Sequence, residues 1–315
     1  MRVLVTAIGS MSAECVIDSF RKEGLEVVGT DIYPRAYHPV AEQCVSFFRA
    51  PLAVPDQGAY CAFLAETATR AGCEAVVPLT DPEVDAITAN RGMIEAAGVA
   101  VWQAGAEAIR RARAKERWGE LLGGCSAFRT IPTYLSYADL KARHEGRFVA
   151  KRINGRSSEG ILFADTRTFA DFERYGQGYM FQPLLEGDVV TVDFVRHPRS
   201  GQVVCLPRKE LMRTKNGAGV VVEVMSPDIV RAAVSELVGR LDLSGVMNCE
   251  FILQADGSLS LMDINPRFSA GVSFSRRAGY DFVRADRACY MLPCCEDAGS
   301  VDVGAVLVKR FSDFG

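Results

Sequence analysis

Histidine is scarce in this chain of 315 residues, and the three that occur, His38, His144 and His197, are isolated from one another. Their isolation argues against a histidine-based metal site and against a Ser–His or Cys–His catalytic set. Long hydrophobic runs are also missing, since no apolar stretch approaches the roughly 20 residues of a membrane-spanning helix. The first residues enter a strand pattern directly, without signal-peptide features. We therefore expect a soluble, cytoplasmic protein with no membrane partner.

An excess of charge of one sign is lacking as well. The 36 Lys and Arg residues nearly balance the 39 Asp and Glu residues, and the net charge of −3 gives no field that would favour nucleic acid. Cysteine is plentiful, with ten residues, but the one close pair, Cys294 and Cys295, lacks metal-ligand spacing. We predict that the cysteines are reduced and mostly packed in the interior.

The first hundred residues alternate between strand and helix patterns. Strand patterns cover residues 2–7, 26–31, 75–79 and 99–102, and helical patterns cover residues 13–23, 60–71 and 84–97. Such βαβ units predict a parallel sheet covered by helices.

The first turn of this region has Gly9 but not the G-x-G-x-x-G spacing of a dinucleotide site. Structural roles for Gly9 and for Asp31, at the end of the second strand, are therefore favoured, and a nicotinamide oxidoreductase ranks last among the functions. Two interpretations remain open for Thr80 and Asp81. They either face a substrate at the carboxyl edge of the sheet or form the N-terminal cap of the next helix.

The central segment contains two features that suit phosphate binding. Residues 107–122 predict a charged helix carrying Lys115, and a strand over residues 147–151 ends on Lys151. A loop of small residues follows over 154–160 and includes Ser157 and Ser158, whose hydroxyls and backbone N–H groups can surround phosphates. It is not a Walker A loop, because the lysine precedes the glycines and a strand follows. Taken alone, such a loop is more often a plain hairpin connection.

A bend at Gln182-Pro183-Leu184-Leu185 separates two further strand patterns. Adenine is read in many sites by a backbone carbonyl and an N–H group two residues apart. Pro183 still offers its carbonyl and Leu185 its N–H group, so the proline is compatible with this use.

Two carboxylates, Glu250 and Asp263, lie on strand patterns joined by a turn that contains Asp256-Gly257, a strong hairpin signal. Half-buried carboxylates side by side repel each other unless a cation lies between them. With the amide of Asn265 they form a set of hard oxygen ligands that suits Mg²⁺ carrying nucleotide phosphates. Arg267 is suited to neutralising a transferring phosphoryl group. The alternative is a surface hairpin with scattered charges.

In order and spacing these motifs resemble the ATP-grasp superfamily. The resemblance is carried by Lys151 with its loop, by Gln182-Pro183-Leu184-Leu185-Glu186-Gly187, by Glu250, and by Asp263-Ile264-Asn265-Pro266-Arg267. The tail Arg267-Phe268-Ser269-Ala270-Gly271, followed by Arg277-Ala278-Gly279, is most similar to carbamoyl-phosphate-synthase-like members. The resemblance covers essentially the whole chain.

The fold that the resemblance implies is α/β plus α+β. A Rossmann-like parallel-sheet domain over residues 1–108 is expected to precede a two-subdomain ATP-grasp fold, with the small subdomain over 109–180 and the large one over 181–315. ATP would lie between the two subdomains. Lys115 and Lys151 would reach its phosphates and adenine, and Gln182 with the backbone of residues 183–185 would read adenine.

The resemblance also implies a catalytic set. Glu250, Asp263 and Asn265 would hold one or two Mg²⁺ or Mn²⁺ ions, and Arg267 would lie near the γ-phosphate and the acyl phosphate. Arg213, in the basic run 207–219 between two strand patterns, is the candidate for a further cation there, ahead of Lys209 and Lys215. Asn265 is placed in both the catalytic and the metal set. Arg276 and Arg277 either meet a substrate carboxylate or form structural salt bridges.

The chain departs from the family pattern at two positions. Arg152 follows Lys151 where the family commonly has proline. The usual ribose carboxylate falls on Val189, so either Asp188 replaces it or the ribose contact is lost.

The favoured function is an ATP-dependent carboxylate–amine ligase that works through an acyl phosphate, with a small-molecule carboxylate and amine as partners and a homodimer allowed. Positioned cations and Mg²⁺ suffice for such chemistry. Two alternatives rank lower: carboxyphosphate or carbamoyl-phosphate synthesis, and a non-catalytic nucleotide-binding protein.

Overall fold

Three β-sheets organise the chain in a computed structural model that describes residues 1–153, 155, 160–170, 178–311 and 313. The strands, β1 to β15 in chain order, are Arg2–Val5, Glu26–Asp31, Ser46–Arg49, Ala75–Val77, Ala100–Val101, Arg129–Thr130, Arg147–Arg152, Leu162–Asp165, Tyr179–Pro183, Asp188–Arg196, Val203–Arg213, Gly219–Val224, Gly245–Leu253, Leu259–Asn265 and Val306–Val308. The α-helices, α1 to α9, are Ala13–Lys22, Gln57–Ala71, Asp81–Ala96, Ala106–Arg113, Trp118–Leu121, Tyr137–Arg143, Arg231–Leu241, Val272–Arg277 and Phe282–Met291.

The N-terminal sheet is parallel throughout and has the order β3-β2-β1-β4-β5. Its central strands are rich in valine and buried beyond their first residues, Arg2 in β1 and Glu26 in β2, as expected for a parallel sheet covered by helices on both faces. The predicted Rossmann-like domain is confirmed. The sequence analysis did not identify β3, a short, half-exposed strand whose pattern is too brief to separate from a loop.

The large sheet has seven strands in the order β15-β12-β11-β10-β13-β14-β6. Its pairs are antiparallel except for β14 with β6. Alternate residues on the central strands divide the sheet into an apolar and a polar face. Val192, Phe194 and Cys249 are buried in a core with helix α7, whose Val234 and Leu237 belong to the same cluster. The polar face carries the site described below.

The small sheet has the order β8-β7-β9 and is antiparallel. Aromatic side chains form its core, with the rings of Tyr137, Phe148 and Phe181 in mutual contact. The predicted boundaries at 108/109 and 180/181 remain predictions, and β9 of this sheet continues to Pro183.

Two sequence-based expectations were wrong in detail. The helix predicted over 107–122 is interrupted, because Ala114 takes a non-helical ψ of 58° and Lys115 lies in a short 3₁₀ turn before α5. The first half of the basic run 207–219 is not a loop, since β11 extends to Arg213. Among the described residues, no helix has the combination of length and apolarity needed to cross a bilayer. The ten cysteines are all free, as predicted, and eight of them are buried.

Candidate functional site

A cavity of about 250 Å³ lies between the small sheet and the polar face of the large sheet. The structure brings most of the predicted site residues to its walls. Those that line it are Lys115, Lys151, Gln182, Pro183, Leu184, Leu185, Arg213, Glu250, Asp263 and Asn265. Ser157 and Ser158 lie outside the described residues. We refer to this space as the nucleotide cleft.

The two predicted carboxylates face each other across neighbouring strands. Glu250 on β13 pairs directly with Asp263 on β14, and Asn248 pairs with Asn265 two residues further along. Because paired residues of antiparallel strands point to the same face of the sheet, Glu250, Asp263 and Asn265 share one wall of the cleft. An irregularity in the pairing follows Glu250, where Met262 is the extra residue on β14.

Cations from three different elements surround these carboxylates. Lys115 Nζ lies 2.7 Å from Asp263 Oδ1, and the guanidinium of Arg213 contacts Glu250 Oε1. Burial raises the pKa of Glu250, and the nearby charges of Asp263 and Glu210 raise it further, while Arg213 opposes this shift. Burial, reinforced by the charge of Lys115, lowers the pKa of Lys151 to about 8. The site is therefore a region of strongly coupled charges, which is typical of functional sites.

The side-chain oxygens of Glu250, Asp263 and Asn265 suit Mg²⁺, which takes part of its ligands from water and phosphates. Asn265 Nδ2 donates to Asn248 Oδ1 at 3.2 Å, which leaves the Asn265 amide oxygen for the cleft. In the described part of the chain, no group of three or more His, Cys, Asp and Glu side chains is placed to bind a metal. An ion bound by two carboxylates and one amide oxygen needs further oxygen ligands. Mg²⁺ usually takes these from water and phosphates.

The opposite end of the cleft is more apolar. Ile131, Val149, Ile161, Ile252 and Met262 line it together with the Gln182–Leu185 bend. Gln182 Nε2 donates to Thr133 Oγ1 at 2.8 Å, and the Leu184 N–H group donates to the Arg147 carbonyl at 3.0 Å. Among the described residues no backbone acceptor takes the Leu185 N–H group, which suits the predicted use of this group for adenine.

Asp188 lies apart from this cleft. Its Oδ2 is 2.6 Å from Lys209 Nζ, and half of the Asp188 side chain is exposed. Its hydrogen bond raises the pKa of Lys209. The geometry gives no support to Asp188 as a replacement for the ribose carboxylate, and Lys209 does not reach the cleft.

Arg267 lines a second cavity, of about 240 Å³, that we call the inner cavity. Four residues belong to the walls of both spaces, namely Arg213, Glu250, Asp263 and Asn265. The predicted metal ligands therefore lie on the wall that the nucleotide cleft shares with the inner cavity.

Asp81 holds Arg267 in place. Arg267 Nε and Nη2 donate to Asp81 Oδ1 and Oδ2 at 2.9 and 2.7 Å, and Arg113 Nη2 donates to Oδ1 at 2.7 Å. Although burial opposes it, the charge of Arg267 and then that of Arg113 hold the pKa of Asp81 far below its usual range. Thr80 caps α3 with Glu83, as one sequence interpretation proposed. Asp81 lines the nucleotide cleft as well, and its contact with a substrate stays a prediction.

Several polar residues of the inner cavity were not identified from the sequence. They are Thr191, Arg208, Glu210 and Asn248. A signal was available, because Thr191 with Asp193 and Arg208 with Glu210 are polar pairs two residues apart within strands. Such pairs place both side chains on one face.

Outside the site, two structural interpretations are confirmed. Asp31 accepts hydrogen bonds from the backbone N–H groups of Gly9 and Tyr33, at 2.9 and 3.0 Å. Arg276 forms a salt bridge of 2.8 Å with Asp18 on α1. Of the two alternatives for Arg276, the structural salt bridge is therefore the one observed.

The comparisons with known proteins agree with this geometry. Residues 126–271 match the model of the ATP-grasp domain, whereas no curated protein sequence matches the chain significantly. Biotin carboxylase from Campylobacter jejuni superimposes with a TM-score of 0.75 at 13% identity, covering 96% of this chain and 74% of the other. N5-carboxyaminoimidazole synthetase from Staphylococcus aureus, complexed with ADP, gives a TM-score of 0.74 at 15% identity, with coverages of 98% and 82%.

An L-amino acid ligase from Bacillus licheniformis is similar to the same extent, with a TM-score of 0.69, 15% identity, and coverage of 92% of this chain and 74% of that one. At such low identities, the similarity to these structures shows the fold of this chain but does not assign their reactions to it. The nucleotide cleft and its paired carboxylates lie largely within the segment that the family model matches. Residues 126–271 are therefore an ATP-grasp domain, and the chain around them has the fold of ATP-grasp proteins.

Proposed function

We propose that this protein is an ATP-dependent carboxylate–amine ligase. The observation that carries the proposal is the position of Glu250 and Asp263 on the wall shared by two cavities, with Lys115 and Arg213 in contact with them. One cavity suits a nucleotide and the other suits a small polar substrate. A protein that only bound a nucleotide would not require the second space or the cations that line it.

In the first step, a carboxylate oxygen of the substrate attacks the γ-phosphorus of ATP. A new O–P bond forms and the bond to ADP breaks, giving an acyl phosphate. Mg²⁺, when bound, neutralises phosphate charge, and Glu250, Asp263 and Asn265 are the residues that would hold it. Lys115 and Lys151 would bind the phosphates, and Arg267 and Arg213 would bind the transferred group.

In the second step, the nitrogen of an amine attacks the acyl carbon. The C–O bond breaks, inorganic phosphate leaves, and the proton lost by the amine passes to phosphate or solvent. The inner cavity is the space in which the carboxylate and the amine would meet, because its walls include Arg267, Glu250 and Asp263. Positioning and charge neutralisation are the contributions of the protein.

The test is phosphate release from Mg-ATP across a panel of carboxylic acids and amines. Release that requires one acid and one amine together, and that falls at least about 100-fold in Asp263→Asn, would support the ligase. Asp256→Asn is the matched control, because Asp256 lies in the exposed turn of the same hairpin.

Two results would contradict the proposal. Release that requires bicarbonate and no second acid would favour carboxyphosphate chemistry. Tight ATP binding without release for any pair would favour a nucleotide-binding protein.

A further inference from the structure

A buried carboxylate in the inner cavity is not used by the chemistry described so far. Glu210, on β11, has 2% of its side chain exposed and lines this cavity. Its Oε1 accepts a hydrogen bond from Thr191 Oγ1 at 2.7 Å. Its Oε2 has no hydrogen-bond partner in the described part of the chain. A buried carboxylate oxygen without a donor is unfavourable, so the free Oε2 indicates a missing partner.

Arg208 does not supply that partner. Its Nη1 donates to Asp193 Oδ2 at 2.6 Å, and its Nη2 donates to Ser269 Oγ at 3.0 Å. Arg208 Nε lies 3.5 Å from Glu210 Oε1 but makes no hydrogen bond. Arg208 therefore pairs with Glu210 only through a long salt bridge to Oε1, and Glu210 Oε2 is left without a donor among the described residues.

Two glycines allow this arrangement. A Cβ at Gly219 on β12 would collide with Glu210 Oε2, and a Cβ at Gly271 would lie 2.7 Å from Arg208 Nη2. Any side chain at Gly219 would therefore displace the carboxylate. The free oxygen lies against the backbone of a neighbouring strand, within a packed structure.

We propose that Glu210 binds a protonated primary amino group of the substrate through Oε2. The proposal rests on the ligase function above and names a feature of its substrate. An ammonium group has three donors and no acceptor, so it matches a charged oxygen that lacks a donor. Arg213 and Arg267 in the walls of the same cavity suit a carboxylate nearby.

The amino group has two possible sources. It belongs either to the amine that attacks the acyl phosphate or to an α-amino group on the carboxylate substrate. Three probes separate the functional groups: alanine carries an amino group and a carboxylate, ethylamine only the amino group, and propionate only the carboxylate. Calorimetric titration of each probe into the full chain gives the affinity without relying on turnover.

Glu210→Gln keeps the shape of the side chain and removes its charge. We expect it to weaken binding of alanine, ethylamine or both by about 10- to 100-fold, and to leave propionate unchanged. Glu223→Gln is the matched control, because Glu223 pairs with Lys209 and so faces the other side of the sheet. Gly219→Ala should reproduce the Glu210→Gln effect. In steady-state kinetics of Glu210→Gln, the KM of the amine-bearing substrate should rise by the same factor as its dissociation constant.

The outcomes distinguish this proposal from the ligase itself. Loss confined to ethylamine assigns the group to the attacking amine, and loss confined to alanine assigns it to the carboxylate substrate. The proposal is overturned if Glu210→Gln weakens propionate equally, if it changes the Mg²⁺ requirement instead, or if the parent binds neither amine at millimolar concentration. Retained amine binding without any phosphate release would contradict only the ligase.

Discussion

Arg267 and Asp81 form a two-point ion pair between the ATP-grasp domain and the N-terminal domain. Arg267 Nε lies 2.9 Å from Asp81 Oδ1, and Nη2 lies 2.7 Å from Oδ2. Such a pair fixes the plane of the guanidinium as well as its distance. Asp81 begins α3 shortly after β4 of the parallel sheet, so the N-terminal domain determines where this guanidinium lies. The N-terminal domain therefore helps to position Arg267, although most of the predicted site residues lie outside this domain.

Asp81→Asn tests this relationship. The variant keeps the size of the side chain but loses the charge and one acceptor, so Arg267 and Arg113 are held less firmly. We expect kcat/KM to fall about 10- to 100-fold and the free energy of unfolding to fall by about 3 kcal/mol, the lower end for breaking a buried ion pair. Steady-state kinetics and denaturant unfolding measure the two effects. Asp228→Asn, in the exposed pair with Arg231, should change neither.

A double-mutant cycle separates positioning from simple destabilisation. If Asp81 acts through Arg267, Asp81→Asn should cause little further loss of turnover once Arg267 is alanine. Fully additive losses would show that Asp81 acts on turnover by another route.

Asp263→Asn tests the metal site through stability instead of turnover. In the parent, Mg²⁺ with ATP at about 100 times its dissociation constant should add about 2.7 kcal/mol to the free energy of unfolding. The variant lacks one of two charged oxygen ligands, so this addition should largely disappear. Thermal unfolding with and without Mg-ATP measures it, and Asp256→Asn should behave as the parent does. Equal stabilisation of all three proteins would exclude Asp263 as a ligand.

The sequence predicted the parts of the site whose signal is local. Glu250 and Asp263 were identified because their strands alternate and their turn contains Asp-Gly, and the structure pairs them directly. Lys151 was identified in the same way at the end of its strand. The parallel sheet was predicted from the alternation of strand and helix patterns, whereas the strand orders of the parallel sheet and of the seven-stranded sheet were not predicted.

The sequence could not predict contacts between distant segments. Arg267 and Asp81 are 186 residues apart, and nothing in either neighbourhood indicates the other. The role of Glu210 depends on β12 and on Thr191 of β10, and so on the strand order of the large sheet. The break at Ala114 was hidden because the charged pattern of residues 107–122 continues across it. In each case tertiary packing decides among locally acceptable structures.

Lys115→Met tests the cation nearest to Asp263. Removing it eliminates the proposed phosphate contact and leaves Asp263 beside Glu250 without its 2.7 Å partner. We expect the dissociation constant for ATP to rise about 10-fold or more, as for loss of a charged hydrogen bond, and the ligand-free protein to become less stable. Calorimetry and thermal unfolding measure the two effects. Lys141→Met, at an exposed position of α6, is the control. An unchanged affinity for ATP would remove Lys115 from the nucleotide site.

Asp286 on α9 predicts how stability varies with pH. Burial raises its pKa to about 8, and its Oδ2 has no hydrogen-bond partner among the described residues. An aspartate in the unfolded chain has a pKa of about 3.9, so the folded state holds this proton more tightly. Its contribution is therefore fully present below pH ~4 and is lost as the pH rises towards about 8. A neutral amide in place of the carboxyl group would not incur this loss.

Asp286→Asn should thus be more stable than the parent by about 2–4 kcal/mol near pH 7.5, and the difference should vanish near pH 4. Asparagine keeps a side-chain oxygen towards the backbone of Val246, whose N–H group opposes the rise in the pKa of the aspartate. Denaturant unfolding at several pH values measures the difference, with Asp228→Asn as an exposed control that should follow the parent. A gain that does not depend on pH would mean that packing, and not ionisation, limits stability at this position. A loss at every pH would show that Asp286 has a partner that asparagine cannot satisfy.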